Sequence, residues 1–199
     1  YEGMKVGVVI PARNEAEHLP KVLATIPSFV DKVVVIDDGS TDDTANLIAD
    51  AELVTLTGEG VGAAIDKGHQ RLTEIFDGEF VSVVMAGDGQ MDPSDMERLI
   101  SPVINGDAHH VKGERIDRAG KMPIYRRFGT FLLAILTTFA CGQTIRDPQC
   151  GYTATSSKVL RTWNWTVSWK GYGYPNWWLM RLSEVGWRIQ HVPVKAIYS

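Results

Sequence analysis

Asp88 stands between Gly87 and Gly89 at the end of an apolar run, with Gln90 two residues further on. The two glycines let the backbone turn tightly and let a ligand approach closely. One carboxylate with an amide oxygen nearby suits a hard divalent cation such as Mg2+ or Mn2+. A second acidic site, Asp37-Asp38, ends another β-branched run. Adjacent carboxylates repel unless donors or a cation satisfy them, so a ribose or base is a natural partner there. Gly58-Glu59-Gly60-Val61-Gly62-Ala63 satisfies G-x-G-x-x-A between a strand and a helix, which keeps a dinucleotide-binding oxidoreductase in view. The match falls in the third strand-helix unit rather than the first. Close helix-sheet packing, with a helix N-terminus facing a phosphate, is the preferred account.

These residues need strands to carry them. The pattern predicts strands over Val6–Ile10, Val33–Ile36, Leu53–Leu56 and Phe80–Met85, each a short apolar run. Helices are expected over Lys21–Ile26, from a Ser40 or Thr41 cap to about Ala51, over Ala63–Phe76 and over Ser94–Ile100. Strand-helix alternation with short connections argues for a parallel sheet with helices on both faces and ligands at the strands' carboxyl ends. The second half is less regular. A strand at Ala108–Lys112, helices at Tyr125–Cys141, Ser156–Arg161 and Asn176–Val185, and a strand at Trp187–Val194 are expected.

At 199 residues the chain fits one well-buried domain. A net charge of −4 argues against non-specific nucleic-acid binding. The charge is uneven: Asp31 to Glu97 holds sixteen acids against three bases, while Lys112 to Arg127 holds six bases against two acids. That asymmetry suits a protein that handles both cations and anionic substrates. Lys112, Arg115, Arg126, Arg127 and Arg146 are candidates to hold phosphate, Arg with bidentate geometry. Cys141 and Cys150 make no metal spacing, and no signal-peptide pattern opens the chain, so a cytoplasmic location is expected. The twelve-residue run Thr130–Cys141 is too short to span a bilayer, which leaves a soluble protein or one in peripheral membrane contact as the expectation. All six tryptophans lie between Trp163 and Trp187, and Trp165, Trp169, Trp177 and Trp178 are acceptor-side candidates. His109, His110 and His191 read as structural.

PARNE at Pro11–Glu15, VIDDGSTDDT at Val35–Thr44, MAGDGQMDP at Met85–Pro93 and RDPQCGY at Arg146–Tyr152 together resemble glycosyltransferase family 2. The polyprenol-phosphate (dolichol-phosphate) sugar transferases are the nearest likeness. The resemblance implies a GT-A fold: an α/β domain with a Rossmann-like, mostly parallel sheet. Residues 1–105 would bind the nucleotide sugar and residues 106–199 the acceptor. By the same resemblance Pro11, Arg13, Glu15, Asp37, Asp38, Gly87 and Asp88 line the pocket of a GDP- or UDP-linked sugar. Asp88 matches the second acid of the family's D-x-D metal motif, with Gln90 a nearby polar ligand. Ala86 replaces the first acid, a departure that leaves most metal ligands to the donor's phosphates. Arg146 and Asp147 match the segment facing the phosphates, so Asp88, Asp147 and Arg146 are the expected catalytic residues. Arg115, Arg127 and Arg146 are the expected acceptor-phosphate contacts.

The implied reaction is an inverting displacement of the diphosphate at the anomeric carbon. A hydroxyl acceptor needs a carboxylate base within reach. Relatives carry an acid near the segment that is Tyr174–Leu179 here, and this segment has none. A polyprenyl phosphate is already an anion and needs no base; Asp147 is the obvious substitute otherwise. The competing classes are an NAD-dependent oxidoreductase and a nucleotide-sugar-binding module without catalysis.

Overall fold

The computed structural model describes residues 1–48, 50–115, 134–135, 137–139, 142, 145 and 147–197. Its elements run β1 (Lys5–Ala12), α1 (Leu19–Ala24), β2 (Lys32–Asp38), β3 (Glu52–Leu56), α2 (Val61–Ile75), β4 (Phe80–Val84), α3 (Met96–Ile104), β5 (His110–Arg115), β6 (Thr153–Ser156), α4 (Ser157–Thr162), α5 (Tyr174–Val185) and β7 (Ile189–Val194). One sheet in the order β3-β2-β1-β4-β6-β5-β7 holds all seven strands. Only β6 is antiparallel to its neighbours. The other six strands therefore deliver their carboxyl ends to one edge, and every candidate acid lies at or just beyond it.

Alternation along the strands sorts the core into two layers. Val6, Val8 and Ile10 of β1, with Val81 and Val83 of β4, pack against Leu19 and Val22 of α1 and Met96, Leu99 and Ile100 of α3. On the other face Val9, Val34, Ile36 and Val84 meet Ala64, Ile65 and Leu72 of α2, Leu160 of α4 and Leu182 of α5. Glycine sets the closeness of α2. A Cβ on Gly68 would lie 2.1 Å from Val9 Cγ1, and one on Gly7 would lie 2.6 Å from Leu72 Cδ2. The helix-sheet contact expected of the Gly58–Gly62 stretch is made by Gly68 and Gly7 instead.

Three expectations change. The helix expected to reach about Ala51 is a short 3-10 helix, Asp43–Leu47, and Asp42 rather than Ser40 or Thr41 caps it, accepting from Thr44 N at 3.0 Å. β1 runs through Pro11 to Ala12, because only β2 pairs with it there and β4 stops pairing at Val9. β6 is an added strand. Its four residues, two of them threonines, carry too short an apolar signal to be seen in sequence. Of the expected helix Tyr125–Cys141, only 134, 135 and 137–139 are among the described residues, and those are helical. No helix among the described residues is long and apolar enough to cross a membrane.

The aromatic cluster closes the α2 face. Trp178 is buried and stacks on Tyr174 with ring centroids 5.7 Å apart, and Trp165 and Trp177 pack on the same cluster. Trp178 is core rather than acceptor surface, Trp165 and Trp177 are half-buried against it, and Trp169 alone of the four is largely exposed. His69 completes the layer, stacked on Trp178, with Nδ1 2.8 Å from Ser82 Oγ. Burial holds this imidazole neutral, its pKa lowered to about 3. The unfolded chain takes up a proton near pH 6.5 and the folded chain does not, so stability falls as pH drops below that value. Between pH 7.5 and 5 His69 alone should cost about 2 kcal/mol of unfolding free energy. Urea denaturation at both pH values should show that loss reduced by a similar amount in His69→Gln.

Candidate active site

The edge of the sheet opens into a cavity of about 380 Å³. Pro11 and Ala12 at the end of β1, with Arg13 and Glu15 of the turn after it, form one wall, and Asp38 ends β2 beside them. Gly60, Val61 and Ala64 from the start of α2 form the second wall. Ala86, Gly87 and Asp88 form the third, and Gly171 and Tyr172 close the fourth from a distant loop.

Each wall has a local cause. Asn14 adopts φ +57°, the left-handed region that Asn tolerates, and its side chain accepts from Thr41 N at 2.8 Å. Ser40 Oγ accepts from Asn14 N at 2.9 Å, Thr44 Oγ1 from Glu15 N at 2.8 Å, and Asp42 from Ala16 N at 3.2 Å. The Ser-Thr-Asp stretch thus fastens the Arg13–Glu15 turn. Asp38, only 4% exposed, accepts from Glu59 N at 2.6 Å and Gly60 N at 2.8 Å, tying β2 to the start of α2. Asp88 turns its own loop, accepting from Gln90 N at 3.0 Å.

The two adjacent acids divide their labour. Neighbouring residues of a strand point to opposite faces. Asp38 reaches the cavity, while Asp37 is turned away from its wall and accepts from the Ser40 amide at 3.3 Å and from the Ser40 hydroxyl. Gln90 is exposed and does not line the cavity; its carbonyl accepts from Ile197 N at 2.9 Å. Pro11, Arg13, Glu15, Asp38, Gly87 and Asp88 all converge there. Val61, Ala64, Gly171 and Tyr172 also line the cavity, and the sequence alone does not mark them. Val61 and Ala64 carry no polar signal, and the loop's contribution depends on long-range packing.

Glycines 60 and 62 serve that loop. A Cβ on Gly60 would lie 2.4 Å from Lys170 O, and one on Gly62 would lie 2.1 Å from Trp169 O. Gly62 N donates to Lys170 O at 2.9 Å. The G-x-G-x-x-A match therefore admits a protein loop, and the dinucleotide reading loses its support.

Charge in the cavity is mostly negative. Burial pushes the Glu15 carboxyl up, the nearby Asp88 charge adds to the rise, and His18 at 3.3 Å pulls it back. Arg13 supplies the positive charge of the lining. Among the described residues no group of three or more His, Cys, Asp or Glu could hold a metal ion alone. Asp88 and Glu15 fit an ion shared with a ligand's phosphates, not a site built by protein only.

Asp147 and Arg115 form a second station. Asp147, 2% exposed, accepts from Arg115 Nε at 2.8 Å, Nη2 at 3.1 Å and the Arg115 amide at 3.2 Å. Arg115 ends β5 on the same sheet edge as Asp38 and Asp88. A carboxylate held this way positions a guanidinium and is not poised as a base. Arg127 and Arg146 lie outside the described residues.

The family model described as glycosyl transferase family 2 matches residues 7–165. The chain belongs to that family. It is 26% identical to a UDP-N-acetylglucosamine–dolichyl-phosphate N-acetylglucosaminyltransferase of Methanococcus voltae, over 96% of this chain and 85% of the relative. It is 33% identical, over the same shares, to an uncharacterized glycosyltransferase of Mycobacterium tuberculosis. The fold matches glucosyl-3-phosphoglycerate synthase of Mycobacterium tuberculosis in complex with Mn2+, UDP and phosphoglyceric acid, with a TM-score of 0.74 at 22% identity. That match covers 99% of this chain and 72% of the synthase, and it identifies the sheet as GT-A.

The Arg115–Asp147 pair yields a stability test. Arg115→Met takes two side-chain donors and a positive charge from a buried carboxylate, and should cost about 3 kcal/mol of unfolding free energy. Adding Asp147→Asn should recover part of that loss, measured by urea denaturation of the single and double variants.

Proposed function

We propose that this glycosyltransferase is an inverting enzyme that moves a sugar from a UDP-linked donor to a polyprenyl phosphate, with Mg2+ or Mn2+ bound alongside the donor. The observation that carries the reading is the cavity at the sheet's carboxyl edge, where Arg13, Glu15, Asp38 and Asp88 converge at or just beyond the ends of three separate strands. Its volume of about 380 Å³ lies within the range of small-ligand sites. UDP rather than GDP is favoured because the Methanococcus relative is named for a UDP sugar and the mycobacterial synthase is seen with UDP.

In this reading the base and ribose lie against Pro11, Arg13 and Glu15, and the diphosphate lies between Asp88 and the Gly60–Val61 start of α2. The Gly60 and Gly62 amides are already given to Asp38 and Lys170 O, so it is the positive end of the α2 dipole that favours an anion there. Asp88, with Glu15 nearby, would hold the ion, which when bound neutralises charge on the departing diphosphate. Ala86 offers no ligand, so the ion's grip depends on the donor. Gly87 brings the backbone close to the reacting centre.

Acceptor chemistry follows from what the site lacks and holds. The Tyr174–Leu179 segment has no acid, and Asp147 is engaged by Arg115. An anionic phosphate attacks without surrendering a proton, so no base is required. Arg115, fixed in orientation by Asp147, is proposed to face that phosphate, with Arg127 and Arg146 as further contacts. A lipid acceptor implies work at a membrane surface. The exposed Tyr172 of the cavity lining, and exposed Trp169 on the same loop, suit such an interface.

Purified protein, incubated with UDP-sugars, Mn2+ and a detergent-solubilised polyprenyl phosphate, should form a lipid-linked sugar and release UDP, and chelation should abolish it. Asp88→Asn should weaken metal-dependent UDP binding by about tenfold, equivalent to about 1.4 kcal/mol. Unchanged affinity would remove Asp88 from the metal site. Transfer to a hydroxyl acceptor only would overturn the lipid-phosphate reading.

A further inference from the structure

Asp66 is a carboxylate on the face of α2 that is otherwise given to Ala64, Ile65, His69 and Leu72, and it is 5% exposed. Burial raises its pKa, so its position costs free energy that an apolar residue would not. It accepts a hydrogen bond of 2.6 Å from the hydroxyl of Tyr174, 108 residues away, and Tyr174 is itself buried. Tyr174 opens α5 and ends the loop whose Gly171 and Tyr172 form the fourth wall of the cavity. The other end of this loop is held by the Gly62 amide, which donates to Lys170 O at 2.9 Å. Both anchors are on α2, the helix that supplies Gly60, Val61 and Ala64 to the same cavity.

We propose that Asp66 and Tyr174 are positioning residues: their hydrogen bond locks the Trp169–Gly173 loop onto α2 and so fixes the nucleotide-facing wall made by Gly171 and Tyr172. The proposal deepens the reading of the cavity as the donor site and rests on it. Geometry supports a dedicated latch. The loop backbone sits so close to α2 that Gly60 and Gly62 have no room for a Cβ, and a displacement of the loop would open the cavity on that side. A buried polar pair fixes one arrangement of two surfaces, where an apolar pair permits several. Tyr172, 96% exposed on a loop anchored at both ends, is thereby presented at the cavity mouth.

The test uses Tyr174→Phe, Asp66→Ala and Asp66→Asn, the last keeping an acceptor oxygen in place. Calorimetry of UDP with Mn2+, well below the melting temperature, should show the dissociation constant raised about tenfold in Tyr174→Phe and Asp66→Ala, a coupling of about 1.4 kcal/mol. Asp66→Asn should stay within about threefold of wild type, because the Tyr174 hydroxyl retains its acceptor. Amide exchange at Gly62 should quicken in the first two variants and not in the third. A purely structural role lowers the melting temperature without moving the dissociation constant. Unchanged affinity in Tyr174→Phe and Asp66→Ala, with wild type binding UDP, overturns the proposal. If wild type binds no UDP, the donor reading fails, and unchanged Gly62 exchange would then reject the latch by itself.

Discussion

Two backbone amides given to one buried carboxylate hold the site together. Asp38 ends β2 and accepts from Glu59 and Gly60, so the second strand and the start of α2 cannot move apart without exposing two donors and a charge. Each such group left unsatisfied costs about 1–3 kcal/mol. Two further walls are built outward from that junction. The Arg13–Glu15 turn is fastened to the Ser40–Thr44 loop that follows Asp38, and the Trp169–Gly173 loop rests on the glycines that follow Glu59.

The electrostatics of this arrangement point to its ligand. Three carboxylates face one guanidinium around the cavity; Asp38 takes two backbone donors and Asp88 one. Burial raises Glu15, and the nearby Asp88 charge adds to that rise. A bare diphosphate would be repelled, whereas a diphosphate carrying a divalent cation is matched. On the proposed reading the site favours the metal complex of the donor over either component. Ala86 sharpens the selection, since without a second acid the protein alone holds the ion poorly.

Much of this was legible in sequence because parallel strands are buried on both faces and appear as short continuous apolar runs. Val6–Ile10, Val33–Ile36 and Phe80–Met85 each locate a strand and place the following acid at its carboxyl end. The limits are equally physical. Asp37 and Asp38 look alike in sequence, and only the two-residue alternation of β2, extended to Asp38, separates a turn-forming acid from a cavity acid. Gly60 and Gly62 mimic a nucleotide fingerprint because close approach to a backbone demands glycine whether the visitor is a phosphate or Lys170 O. The tryptophans could not be sorted into surface and core until α2 was seen as their platform. Tyr172 belongs to the cavity through contacts that no local pattern encodes.

The most direct measurement is a structure of the protein with UDP and Mn2+, using the anomalous signal of the ion. The manganese should be bound to Asp88 and to the diphosphate, with the uracil and ribose against Arg13 and Glu15 and the phosphates beside Gly60 and Val61. Manganese away from Asp88, or a nucleotide outside the cavity framed by Asp38, Gly60 and Gly171, would contradict this.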